Sequence, residues 1–113
     1  MCTKNELEQI LKKMIMGYRN VYKDAIHEIY LYGSYARGDY TSESDIDIVA
    51  IVEGDRATLQ EQLKKIWDIA SDIGLDHEVV VSPTVIPFNE FENYKNILPY
   101  YKNIIEEGVR LSA

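Results

Sequence analysis

Apolar side chains recur at Leu7, Ile10, Leu11, Met14, Ile15, Tyr18 and Val21, a spacing that lays one stripe along a helix over 4–21. The Lys and Glu residues of this stretch fall elsewhere on the wheel. The period then changes. Residues 25–32 are dense in β-branched and aromatic side chains and stop at Gly33-Ser34, which predicts a strand. Residues 35–38 predict one short turn of helix, followed by a polar loop over 39–44. Residues 46–52 are apolar at nearly every position, as a strand covered on both faces would be. Gly54-Asp55 turn the chain, and helical spacing returns over 57–73 through Leu59, Leu63, Ile66, Trp67 and Ala70, with Gly74 placed as the residue just past the helix. Residues 78–81 predict a third strand, ended by Ser82-Pro83. Asn89 is placed to cap a short helix over 90–95, and a last helix runs over 98–107 to Gly108. The succession α, β, short α, β, α, β, α, α predicts a small α/β or α+β sheet with helices packed on it.

With 113 residues and no repeat, low-complexity tract or linker, the expectation is a single domain over 1–113. Such a chain has no room for a catalytic domain plus a separate substrate domain. An enzyme of this size draws part of its selectivity from a partner or from the substrate itself. Nineteen Asp and Glu against twelve Lys and Arg give a net charge of −7, which argues against binding nucleic-acid backbones and so against direct DNA binding. The acid is unevenly spread: residues 25–60 carry seven carboxylates and two cations in a stretch that also reads as core. The single cysteine, Cys2, excludes an internal disulfide and a cysteine-based zinc site. No apolar run approaches the roughly 18 residues of a membrane span, and residues 1–17 lack the apolar core of a signal peptide. A cytoplasmic protein is expected, with no membrane partner.

The chemistry concentrates between Gly33 and Asp47. Two aspartates separated by Ile46 project to the same side of a strand, about 6.5–7 Å apart along it. Fixed side by side they repel unless a cation lies between them, and Mg²⁺ suits one or two carboxylates plus phosphate oxygens. A solvated strand end accounts for the same pair. An EF-hand does not, since Ala50 would stand where glycine is needed and Arg56 where the bidentate Glu belongs. Gly33-Ser34, at the end of a strand entering a helical turn, would present backbone amides and a hydroxyl to a phosphate; an ordinary turn uses the same dipeptide. Gly33 to Gly38 has P-loop spacing, but Asp39-Tyr40 replace the required Lys-Ser/Thr, so that reading fails. Arg37 lies one turn beyond Ser34, in reach of a phosphate, the acidic cluster, or a surface pairing with Asp39 or Glu43.

Gly33-Ser34, a ten-residue spacer and Asp45-Ile46-Asp47, with Ser44 directly before the first aspartate, resembles the signature of the minimal nucleotidyltransferases in the DNA polymerase β-like superfamily. The preceding amphipathic helix and the following helix and strand agree with it. The resemblance implies a small mixed sheet and Mg²⁺-dependent transfer of AMP from ATP to a hydroxyl. It places Gly33 and Ser34 on the β- and γ-phosphates, with Arg37 and Ser44 in the nucleotide-binding set. Asp45 and Asp47 would hold two Mg²⁺ ions. The resemblance implies a third carboxylate on a neighbouring strand, which ligates one metal and helps deprotonate the acceptor hydroxyl; Glu78 and Asp76 compete for that role and share a face by period 2. Glu78 fits better, because it leads into Val79-Val80-Val81. Adenine follows from the resemblance alone, with no base-reading motif in the sequence.

This is the kind of nucleotidyltransferase that pairs with a HEPN-type toxin, so the resemblance implies a tyrosine of that partner as acceptor, an antitoxin role, and a hetero- or homo-oligomer. Two alternatives stand beside it: a non-catalytic binding module, and a catalytic subunit that modifies a small molecule held by a separate subunit. His27, His77 and Trp67 read as structural residues. Tyr94, Tyr100 and Tyr101 read as a contact surface, while Tyr35 and Tyr40 flank the motif.

Overall fold

The computed structural model describes residues 3–112; Cys2 lies outside them. Helix α1 spans Lys4–Tyr22. Its start is fixed by a reciprocal cap in which the Glu6 amide donates to Thr3 Oγ1 at 3.1 Å and the Thr3 amide donates to Glu6 Oε1 at 3.4 Å. A single 3₁₀ turn, Lys23–Ala25, leads into β1 (Ile26–Tyr32), and α2 (Ser34–Arg37) follows. Strand β2 is Ile46–Val52. Asp55 caps α3 (Arg56–His77) by accepting from the Thr58 amide at 2.9 Å. Strand β3 (Val81–Pro87), α4 (Phe88–Tyr94), α5 (Pro99–Glu107) and β4 (Val109–Ser112) complete the described chain.

The sheet has the order β3-β2-β1-β4. Strand β1 runs antiparallel to β2 and β4, while β2 and β3 are parallel and joined by α3, so the sheet is mixed. Alternation along β2 divides its side chains between two layers. Ile46, Ile48, Ala50 and Val52 enter the larger core with Ile10, Met14, Leu63 and Ile66 from α1 and α3. Val49 and Ile51 join Tyr30, Phe91, Tyr101 and Ile104 in a smaller core under α4 and α5. Asp47 belongs to this second face. Strand β2 is covered on both sides, as its unbroken apolar run requires.

Tyr18 fastens α1 across the larger core to the edge strand. It is fully buried; its hydroxyl donates to the Thr84 carbonyl at 3.0 Å and accepts from the Thr84 amide at 3.1 Å. Burial pushes this hydroxyl well above the usual phenol range.

Several boundaries, and one whole element, differ from the sequence expectation. Helix α3 runs through Gly74 to His77 and ends on Glu78, which takes the left-handed conformation at φ 56°. The chain folds back so closely that a Cβ on Gly74 would lie 2.6 Å from the Val79 carbonyl oxygen, so this glycine serves close approach inside the helix and not its termination. Strand β3 starts at Val81 and includes Pro83, which an edge strand tolerates. Asn89 lies inside α4, which begins at Phe88 without a side-chain cap. Strand β4 was not expected; its four residues carry too little pattern to read, and pairing with β1 creates it.

Candidate active site

Strand β1 delivers the chain to Gly33, which at φ 74° takes a conformation that L side chains rarely adopt. The Ala36 and Arg37 amides both donate to the Gly33 carbonyl at 3.1 Å, closing the turn, and Gly38 ends α2 in the left-handed region. A Cβ built on Gly33 would stand 2.6 Å from Asp47 Oδ2. The carboxylate therefore rests against the bare α-carbon, and no larger residue fits there. The two halves of the motif, separated by a long loop, meet at this contact.

Asp47 is the second residue of β2, with Tyr32 opposite it on β1 and Ser82 beside it on β3. Burial pushes its carboxyl above the ordinary range; the negative charge of Asp45 adds to this, and the Arg37 guanidinium opposes it. Asp45 itself is exposed. Arg37 meets Asp39 at 3.3 Å and Glu107 at 3.7 Å, tying α2 to α5 while remaining close enough to act on Asp47. Ser34 is half-buried, and its carbonyl accepts from the Gly38 and Asp39 amides. Ser44 shapes the loop before Asp45: its hydroxyl accepts from the Thr41 amide at 2.9 Å, and its amide donates back to the Thr41 carbonyl at 3.1 Å.

The expectation that Asp76 and Glu78 share a strand face fails, because Asp76 is helical and Glu78 is the residue on which α3 ends. Glu78 lines a cavity together with Asp45. Even so, among the described residues no three His, Cys, Asp or Glu side chains come together to hold a metal. The position next to Asp47 on β3 is taken by Ser82.

Sequence reasoning missed Tyr32 and Ser82 entirely and read Tyr100 only as a contact surface. Tyr100 meets Tyr32 edge-on, ring centroids 5.6 Å apart, and burial together with the nearby Tyr32 and Asp47 raises its hydroxyl's pKa. Tyr35 and Tyr40 stack on one another at 4.2 Å. His27, on β1, stacks on Phe88; His77, expected on a strand, lies in the last turn of α3 and bonds Glu6. Trp67 is not packed away: it is 44% exposed and lines the same cavity as Asp45.

The donors present suit Mg²⁺. Two neighbouring carboxylates, one of them held reluctantly as an anion, gain from a divalent cation whose remaining ligands come from phosphate oxygens and water. The adjacent glycine turn with Arg37 suits the anionic part of the same ligand.

A fold and site of this kind define a nucleotidyltransferase. The family model for the nucleotidyltransferase domain matches residues 6–112, and the chain belongs to that family. Three proteins of Methanocaldococcus jannaschii named as protein adenylyltransferases are similar to it. One is 35% identical over 96 residues, covering 79% of this chain and 95% of the relative. Another is 33% identical over 101 residues, covering 89% and 93%. The third is 34% identical over 110 residues, covering 96% and 97%. Among solved structures, a toxin–antitoxin with AMP-PNP aligns with a TM-score of 0.56 at 20% identity, over 90% of this chain and 72% of that one. A toxin–antitoxin named MntA-HpeT, in a variant form, aligns with a TM-score of 0.53 at 16% identity, over 99% and 74%. These two likenesses show a common fold.

Proposed function

We propose that the protein transfers AMP from ATP to a hydroxyl of another protein, a tyrosine of a cognate HEPN-type toxin, and so acts as the antitoxin of a pair. The contact between Gly33 and Asp47 carries this reading, because it sets a phosphate-accepting turn directly against an acid. The relatives named as protein adenylyltransferases support the acceptor class, and the neighbour solved with AMP-PNP supports the nucleotide.

Gly33 and Ser34 receive the β- and γ-phosphates, and Arg37 adds positive charge beside them. Asp45 and Asp47 would hold Mg²⁺, which when bound would neutralise charge building on the phosphates. The acceptor oxygen bonds the α-phosphorus as the bond to the pyrophosphate oxygen breaks. Pyrophosphate leaves, and the acceptor proton passes to Asp47, the carboxylate that lies against the phosphate-accepting turn. Ser44 keeps the loop in place so that Asp45 stays beside Asp47. The protein contributes position and fixed charge.

Incubation with α-labelled ATP, Mg²⁺ and the product of the neighbouring gene tests it. Label is expected on a tyrosine of that partner, and is lost with Asp45→Asn/Asp47→Asn. Absence of transfer, or equal labelling by the double variant, sinks the proposal; neutralisation of the partner by the double variant would favour a contact-only antitoxin.

A further inference from the structure

A cavity of about 750 Å³ opens on the α3 side of the 42–45 loop. Trp67, Leu75, Val80 and apolar neighbours on α3 and before β3 make one part of its lining, and the polar 42–45 loop makes another. Leu75 is 81% exposed and Val80 56%, so the apolar surface continues beyond the cavity mouth. Such a strip suits a length of chain laid across it better than an enclosed small ligand. Three carboxylates, Glu43, Asp45 and Glu78, line it, with no Lys, Arg or His among the lining residues. None of the three enters an ion pair among the described residues. An apolar groove with an unneutralised acidic lining is complementary to a segment that alternates apolar and basic side chains. Asp45 belongs to both the groove and the proposed catalytic pair, so a segment seated here ends at one edge of that pair, beyond which Asp47 lies.

We infer that this groove docks a basic, apolar segment of the acceptor protein, next to the hydroxyl that receives AMP. The inference rests on the transfer reading above. It adds the chemistry by which the acceptor is chosen. A segment rich in Lys and Arg is also drawn by the chain's net charge of −7, so docking weakens as salt screens the attraction.

Trp67 is the single tryptophan of the chain, so its emission reports the groove alone. The probes are two short peptides, each with one tyrosine: in one it is flanked by alternating lysine and leucine, in the other by alternating glutamate and leucine. The protein is the full chain with Mg²⁺ and ATP. The control is Glu43→Lys/Leu75→Lys, two exposed positions whose replacement leaves the core untouched, its melting temperature compared with the parent's. The expected result is a saturable blue shift with the basic peptide, weakened roughly tenfold or more in the double variant and absent with the acidic peptide. No shift, an equal shift with both peptides, or undiminished affinity in the variant overturns the groove assignment. AMP on the peptide tyrosine is read separately by mass spectrometry. Docking without labelling upholds the groove and counts against the transfer reading, whereas labelling that the variant leaves unchanged overturns the groove and upholds transfer.

Discussion

Gly33 is where backbone conformation and chemistry depend on one another. Its φ of 74° already disfavours a side chain, and the space a Cβ would need is held by Asp47 Oδ2 at 2.6 Å. Gly33→Ala therefore costs stability twice, through strain and through displacement of the carboxylate, in total about 1–3 kcal/mol. Its effect on transfer should exceed its effect on folding, because a reacting group moved by about 1 Å loses on the order of 100-fold in rate. A variant that melts lower yet transfers AMP at the parental rate would show that Asp47 need not stand where it does. The residues of this contact were legible because Gly33-Ser34 and Asp45-Ile46-Asp47 lie close in sequence and their types are chemically specific. Ser82, Tyr32 and Tyr100 were not, since only strand pairing and helix packing bring them to Asp47. Nothing in a serine beside a proline announces which strand residue it will face.

Elements with long apolar stripes, α1, β2 and most of α3, were legible because burial on one face or two imposes a period on the sequence. Their ends were harder to read. Gly74 looks like a helix terminator, yet tertiary crowding by Val79 explains it, and this moved β3 and removed Asp76 and Glu78 from any shared strand face. The last turn of α3, unexpected as helix, carries His77, whose Nδ1 lies 3.3 Å from Glu6 Oε2 while Nε2 lies 3.5 Å from Lys13 Nζ. The bond from His77, helped by the Thr3 amide, holds the Glu6 carboxyl below its ordinary value. A depressed acid contributes stability that is fully present above its unfolded pKa, here 4.5, and is lost as pH falls through the lower folded value. Glu6→Gln, which can keep the cap to Thr3, should melt below the parent at pH 7, with the gap closing as the solution is acidified below pH 4.5. Thermal melts across that range check it; a gap that does not change with pH would mean the charge on Glu6 is not what joins the two helices.

At the scale of the whole molecule two kinds of electrostatic strain coexist, and they respond to different ions. The net charge of −7 is a diffuse repulsion that any salt screens, because exposed charges beyond about 8–10 Å are shielded by ordinary electrolyte. The Asp45–Asp47 pair is a local repulsion at the start of β2, sharpened by the burial of Asp47, and only a cation seated between the carboxylates relieves it fully. The two are separable by the melting temperature. Potassium chloride should shift the parent and Asp45→Asn/Asp47→Asn in the same direction, the variant somewhat less because it carries fewer negative charges. Mg²⁺ at matched ionic strength should raise the parent further, by about 2.7 kcal/mol when free ion stands 100-fold above its dissociation constant, and give the variant nothing beyond the salt effect. In zero Mg²⁺ the variant should be the more stable of the two, having lost a repulsion the native chain keeps for its ligand. If Mg²⁺ and potassium chloride act alike on both proteins, the acid pair is not a metal site. The pair would then act on the acceptor proton alone, and the acidity of the chain would be a property of its surface.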